Sequence, residues 1–123
     1  MRRAFGIAAA ALGASAVALG AFGAHALQSR LDEAALHIWH TAVEYQFWHA
    51  LALLGVVALA PARATRTWRA CGIACVAGSV IFCGSLYALA LGAPRWIGAI
   101  APIGGGALIM AWVLLGFALA TRG

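Results

Sequence analysis

The chain has 123 residues, 65% of them hydrophobic and only 9% charged, with a mean hydropathy of +0.97. A soluble domain of this size cannot cover its surface with so little charge. Its 8 basic residues, all arginine, outnumber the acids Asp32, Glu33 and Glu44, but they flank apolar runs instead of forming a basic face. That pattern excludes nucleic-acid binding and reads as membrane topology and contact with anionic lipid headgroups.

A membrane-crossing helix needs about 20 predominantly apolar residues. Four runs meet that length, 4–24, 32–60, 68–91 and 96–120. They nearly exhaust the chain, so the expectation is one domain over 1–123: an all-α integral membrane four-helix bundle.

In the first run, Arg2 and Arg3 precede an apolar core that ends in Ala24-His25-Ala26. A signal peptide with an A-x-A cleavage site has that outline. Against cleavage, the core is long, and Gly6, Ala10, Ala14 and Ala18 form a small-xxx-small row of the kind that lets membrane helices approach closely. The run is therefore expected to be retained as the first helix.

The connection that follows offers Ser29 and Asp32 as N-caps, with Leu31, Ala35, Ile38, Ala42 and Tyr45 at helical spacing behind them. The second helix is thus expected to begin near Asp32 and to project outside the bilayer before entering it. Along it, His37, His40, Glu44 and Trp48 share one stripe, and Tyr45 and His49 share another beside it. Pro61 ends this helix, and Arg63, Arg66 and Arg69 make a tight basic turn suited to lipid headgroups.

The third helix carries Cys71, Cys75, Ser79 and Cys83, each four residues from the last, beside the equally small Ala70, Ala74 and Gly78. An odd set of cysteines inside an apolar segment, without CxxC spacing, reads as small packing residues, and no disulfide is expected. Ser85 and Tyr87 fall in its last turns. In the fourth helix Pro102 precedes Gly104-Gly105-Gly106. This predicts either a kinked, tightly packed helix or a locally opened backbone lining a cavity, Pro102, Gly104 and Gly105 marking the place.

Orientation follows from the arginines. With the N-terminus in the cytoplasm, the inner segments hold Arg2, Arg3, Arg63, Arg66, Arg69 and Arg122, and the outer loops only Arg30 and Arg95. The positive-inside rule then places both termini in the cytoplasm. Trp39, Trp48, Trp68 and Trp96 lie near predicted helix ends, where indole rings favour the interface.

An ionisable group inside a membrane is expensive to place and is a functional candidate for that reason. Glu44 is the strongest, about one turn below the outer boundary. His25, Tyr45, His49, Ser85, Tyr87 and the Pro102 segment are expected at comparable depth, forming an outer-leaflet polar cluster. His40 and Glu44, four apart, could pair or join His25 as metal ligands, but no H-E-x-x-H or E-x-x-H signature is present. A structural polar network and a proton or small-ligand site both remain open, and neither a metal nor another cofactor is expected.

Four motifs then occur in order: Ala18-Leu19-Gly20-Ala21-Phe22-Gly23-Ala24-His25; Glu44-Tyr45-Gln46 with His49-Ala50-Leu51-Ala52; Phe82-Cys83-Gly84-Ser85-Leu86-Tyr87; and Pro102-Ile103-Gly104-Gly105. In these the chain resembles the YgdD/YwdK family of small bacterial inner-membrane proteins, a domain-of-unknown-function family. The resemblance spans nearly the whole chain. It implies an uncleaved first helix and a multi-pass protein of the bacterial plasma (inner) membrane. The family's pattern falls on His25, Glu44, Tyr45, Gln46, His49, Gly84, Ser85, Tyr87, Pro102, Gly104 and Gly105; His37 and His40 lie outside it, which weakens a metal reading built on them.

Two functions remain in competition. One is an accessory or assembly protein whose small-residue helix faces pack against a membrane-protein partner or a second copy. The other is a ligand-, metal- or proton-handling protein working at the cluster around Glu44. No activated nucleophile or general-base arrangement is visible, so no enzymatic activity is expected.

Overall fold

The computed structural model describes residues 1–122 and contains four long helices: α1 (Arg2–His25), α2 (Glu33–Leu59), α3 (Arg66–Ala90) and α4 (Ala101–Ala120), the last preceded by a 3-10 turn, Arg95–Ala99. Each of the four spans is long and apolar enough to cross a membrane. No strand occurs among the described residues.

The helix ends follow local chemistry. Asp32 caps α2, its carboxylate accepting from the Ala35 amide at 2.8 Å, and Glu33 in the first turn adds favourable charge at the helix N-terminus. At the end of α3, Gly92 adopts φ 99°. The Ala93 amide bonds the Ala88 carbonyl at 2.9 Å and the Gly92 amide that of Leu89 at 3.1 Å. This is the paired 6→1 and 5→2 pattern of a Schellman stop, with Pro94 barring continuation.

Both chain ends close on the same helix end. An Arg2 guanidinium N–H donates to the Ala60 carbonyl at 2.5 Å, and one of Arg122 donates to that of Leu59 at 2.6 Å. These bonds satisfy carbonyls that the last turn of α2 leaves without intrahelical donors. They also define a termini end of the molecule, opposite the far end formed by residues 26–32 and 91–94.

α3 is the central helix, packed between α2 and α4, while α1 lies along α2. The core runs in layers down this arrangement. Val56, Trp68, Cys71 and Ala118 pack at the termini end, Ala9, Leu53, Cys75 and Ala111 in the middle, and Leu27, Trp39 and Ala90 at the far end. Trp39 and Trp68 are therefore core residues and not part of an interfacial belt; the Trp39 indole N–H is satisfied by the Leu19 carbonyl at 2.9 Å. The four-residue row Cys71, Cys75, Ser79 and Cys83 is buried along its whole length, because α3 has a neighbour on either side.

The row expected to pack α1 does not. Ala10, Ala14 and Ala18 are exposed, and a side chain at Gly6 would meet nothing within 4 Å. The seam against α2 instead uses Ala9, Gly13, Ala16, Gly20 and Gly23, at alternating steps of four and three residues. A four-residue step drifts about 40° around a helix, so a strict i+4 row leaves any one interface within a few turns. The alternating pattern stays on it when helices cross with a left-handed twist.

α3 and α4 approach most closely. A Cβ on Gly104 would collide with the backbone of Phe82, and one on Gly78 would come within 2.9 Å of the Leu108 amide nitrogen. Gly104→Ala should therefore cost about 1–3 kcal/mol through forced separation of the two helices. Gly116→Ala, where the space is open, should be neutral or stabilise by up to about 1 kcal/mol through alanine's better helix propensity. Thermal unfolding in detergent micelles compares the two, and equal midpoints would contradict the close-contact account.

Candidate functional site

The buried residues of α2 are Trp39, Ala42, Gln46, His49, Ala50, Leu53 and Val56, which step by three and four apart from Ala50 beside His49. Two of the seven are polar, and both are fully bonded.

Gln46 is the junction of three helices. Its side-chain amide donates to the Ser15 hydroxyl at 2.6 Å and to the Leu12 carbonyl at 2.9 Å, both on α1. Its oxygen accepts from the Tyr87 hydroxyl of α3 at 2.7 Å. Ser15 in turn donates to the Ala11 carbonyl at 2.7 Å, and the Tyr87 ring rests against Trp39 with centroids 4.7 Å apart. Every donor here has an acceptor, the condition for burying such groups without penalty.

His49 joins α2 to the other side of the fold. Trp112 of α4 donates its indole N–H to His49 Nε2 at 3.1 Å, and Nδ1 lies 2.7 Å from the Tyr45 carbonyl. An indole N–H can only donate, so Nε2 must be the unprotonated nitrogen and Nδ1 carries the hydrogen given to Tyr45. The partners thus fix one neutral tautomer. The His49 carbonyl also accepts a weak bond from the Cys75 thiol at 3.4 Å.

Beside His49 the seam between α2 and α4 is open. A lateral groove of about 740 Å³ is walled by Tyr45, Trp48, Phe82, Ile109 and Trp112, with Gly105 and Gly106 leaving its α4 side without bulk. Tyr45 tilts against Trp48 and Phe82, with centroids 5.1 and 5.0 Å apart. Pro102 lines its far-end mouth. That proline occupies the first turn of α4, where a missing N–H breaks no hydrogen bond. The change of helical type falls at Ile100, ahead of the proline, so Pro102 starts α4 and does not kink it. Gly104 is a packing contact with α3, and Gly105 faces the groove.

The other expected members of an outer cluster are dispersed. Glu44 is exposed on the outer side of the α1–α2 seam, about 200° around α2 from Gln46. His37, His40 and Trp48, which share its stripe, are exposed as well. His25 is exposed at the end of α1, and Ser85 bonds within its own helix, to the Phe82 carbonyl at 2.8 Å. His25, His40 and Glu44 do not converge, and no three His, Cys, Asp or Glu residues come together among the described residues. Tyr45, Gln46, His49 and Tyr87 are brought together, with Trp112, Ser15 and Trp39 added. Trp112 and Ser15 carry no sequence signal of their own. Trp39 could have been found from the three-four alternation of α2.

Around Glu44, two shallow recesses of about 260 and 200 Å³ follow the outer α1–α2 seam. One is lined by Val17, Gly20 and Glu44, the other by Gly6, Ala10, Phe47 and Leu51. At the termini end, Arg63 and Arg69 share a cavity with Arg2 and Arg3, which Arg66 does not line.

A family model described as a protein of unknown function, DUF423, matches residues 19–105. The chain is 42% identical over 101 residues to the UPF0382 membrane protein YwdK of Bacillus subtilis, covering 81% of this chain and 82% of that protein. A UPF0382 membrane protein of Haemophilus influenzae is also 42% identical over 101 residues, 82% and 81% of the two chains. The UPF0382 inner membrane protein YgdD of Escherichia coli is 37% identical over 99 residues, 80% and 76% of the two. No solved structure matches. With four apolar spans, this is a multi-pass protein of the bacterial inner membrane.

Replacing Gln46 by Leu removes three interhelical hydrogen bonds, and at roughly 0.6 kcal/mol each within a membrane the expected loss is about 2 kcal/mol of stability. Glu44→Gln, on an exposed face, should change stability by less than about 0.5 kcal/mol. Unfolding of both variants in the same detergent tests the ranking; a larger effect at Glu44 would overturn it.

Proposed function

The chain belongs to the DUF423 family of membrane proteins, and we propose that within it this protein is a non-catalytic accessory protein that docks a transmembrane helix along its outer α1–α2 seam. Glu44 carries the reading. It lies about 22 Å along α2 from Leu59 at 1.5 Å per residue, inside a hydrocarbon core of about 30 Å. It is exposed there, with no hydrogen-bond or ionic partner among the described residues. A carboxyl group left facing lipid is costly and gains from a polar partner that only another molecule can bring.

The surroundings fit a helix as that partner. The two recesses continue one another along the seam, from Gly6 to Gly20 on α1, about 21 Å of helix. Their α1 side is built from Gly6, Ala10, Gly13 and Val17, and small residues let a second helix approach closely enough for dispersion to hold it. A second copy of this chain and a different membrane protein both satisfy this chemistry. The six arginines at the termini end support a cytoplasmic location for it, against Arg30 and Arg95 at the far end.

A second reading rests on the α2–α4 groove. Its volume of about 740 Å³ lies within the range of small-molecule sites. Its aromatic walls and lateral opening suit the hydrocarbon chain of a membrane-borne ligand.

Photoreactive residues at Ala10 and Val17 in native membranes should form a defined adduct, and one at Val80, exposed on α3, should not. Glu44→Leu should weaken the adduct roughly fivefold, the loss of about 1 kcal/mol from one polar contact between membrane helices. An adduct of twice the chain mass would identify a second copy. Equal labelling from Val80, or none from the seam, would sink the accessory role. For the groove, Gly106→Leu should remove a ligand mass that the parent retains in native mass spectrometry; a parent without bound mass would rule that reading out.

A further inference from the structure

We propose that the termini end holds a binding site for a phosphate-bearing anionic lipid headgroup, formed by Arg3, Arg63 and Arg69. This goes beyond the docking seam and the groove and depends on neither. The three arginines line a cavity of about 630 Å³ between the start of α1, the α2–α3 connection and the first turn of α3. Pro61, Ala62 and Ala64 give it small walls that leave the guanidinium groups accessible.

No acidic group among the described residues neutralises the charge in this cavity. Arg2 also lines it, but gives a guanidinium N–H to the Ala60 carbonyl, and Arg122 nearby is similarly engaged with Leu59. Arg3, Arg63 and Arg69 have no acceptor of their own among the described residues. The acidic side chains are elsewhere: Asp32 and Glu33 stand at the far end of α2, and Glu44 lies along the outer seam. Three planar guanidinium groups around one concavity match phosphate oxygens, which each can engage through paired N–H donors. Their number favours a headgroup with two phosphates over one with a single phosphate. A zwitterionic headgroup brings a cation of its own, which the site repels.

Placement selects a lipid over a soluble phosphate. The cavity sits where the apolar spans end, at headgroup level. Four residues deeper on the same helix faces as Arg3 and Arg69 are Ile7 and Ile73, 62% and 60% exposed. A headgroup held by the arginines would have acyl chains continuing over these two isoleucines, an arrangement a free anion cannot use. Basic pockets between membrane helices on the cytoplasmic side are a known mode of anionic lipid recognition.

The test uses the full chain in a non-ionic detergent, titrated with cardiolipin, phosphatidylglycerol, phosphatidylcholine or pyrophosphate and read by native mass spectrometry. The parent should bind one cardiolipin more tightly than phosphatidylglycerol and at least tenfold more tightly than phosphatidylcholine. Each arginine removed should cost about fivefold, so the triple variant Arg3→Gln, Arg63→Gln, Arg69→Gln should lose about 100-fold. Arg30→Gln with Arg95→Gln, at the far end, should leave binding unchanged. Should the triple variant not fold, the single variants Arg63→Gln and Arg69→Gln carry the test at fivefold each. Retained cardiolipin preference in the triple variant, or equal loss in the far-end control, overturns the site. Pyrophosphate binding as tightly as cardiolipin, with the same arginine dependence, overturns the lipid as its occupant.

Discussion

Helices in a bilayer gain nothing from burying leucine against leucine, because lipid tails are as apolar as the side chains they replace. The fold therefore depends on how closely backbones can approach. At Gly104 the α4 backbone meets that of Phe82 with no room for a methyl group, and Gly78 meets Leu108 in the same interface. Gly23 is held as tightly against the Trp39 indole, and Gly72 against the Phe5 ring. Dispersion falls steeply with distance, so these glycines permit the attraction that assembles the molecule. α3, with small residues around much of its circumference, accordingly takes the central place.

On that frame most polar groups divide into two kinds, the buried and unpartnered Ser79 hydroxyl on α3 standing apart from both. Gln46, Tyr87, Ser15, His49 and Trp112 form bonds that link all four helices, α1 and α3 through Gln46 and α4 through His49. They are saturated, and so stabilise without inviting a ligand. Glu44 and, at the termini end, Arg3, Arg63 and Arg69 have no partner among the described residues and face outward. Where a structure leaves costly groups unpaired, interactions with other molecules are the place to look for what it does. The groove beside His49 is a third case, a space kept open by glycines and aromatic walls.

The four spans were legible because hydropathy is a property of each segment alone. Asp32 as the cap of α2 and Pro61 after its end were equally local signals. Which face of each helix turns inward was not legible, because a lipid-facing side is as apolar as a core-facing one and amphipathic contrast disappears. α1 shows this: Gly6, Ala10, Ala14 and Ala18 are as small as the true seam of Ala9, Gly13, Ala16, Gly20 and Gly23. Only the three-four alternation separates them. On α2, Glu44 drew the reading by its charge, whereas the residue that organises the interior is the neutral Gln46, two positions away and on the opposite side. The groove depends on α4 packing on α3 while leaving α2 uncovered, a tertiary choice that no single segment encodes.

The unequal lengths of the helices have a mechanical consequence. α2 has 27 residues and α4 has 20, about 40 Å against 30 Å at 1.5 Å per residue. Fitting all of α2 inside a core of about 30 Å would require a tilt of roughly 40°, twice the average for membrane helices and at the limit of their range. A bundle tied together by Gln46 and His49 cannot give one member that inclination alone. The first turn of α2 and its cap, with Asp32, Glu33 and His37, consequently stand clear of the hydrocarbon core, at headgroup level, as a polar ledge on one flank. Lipid headgroups on that flank then meet the exposed Asp32, Glu33 and His37 in place of an apolar helix end.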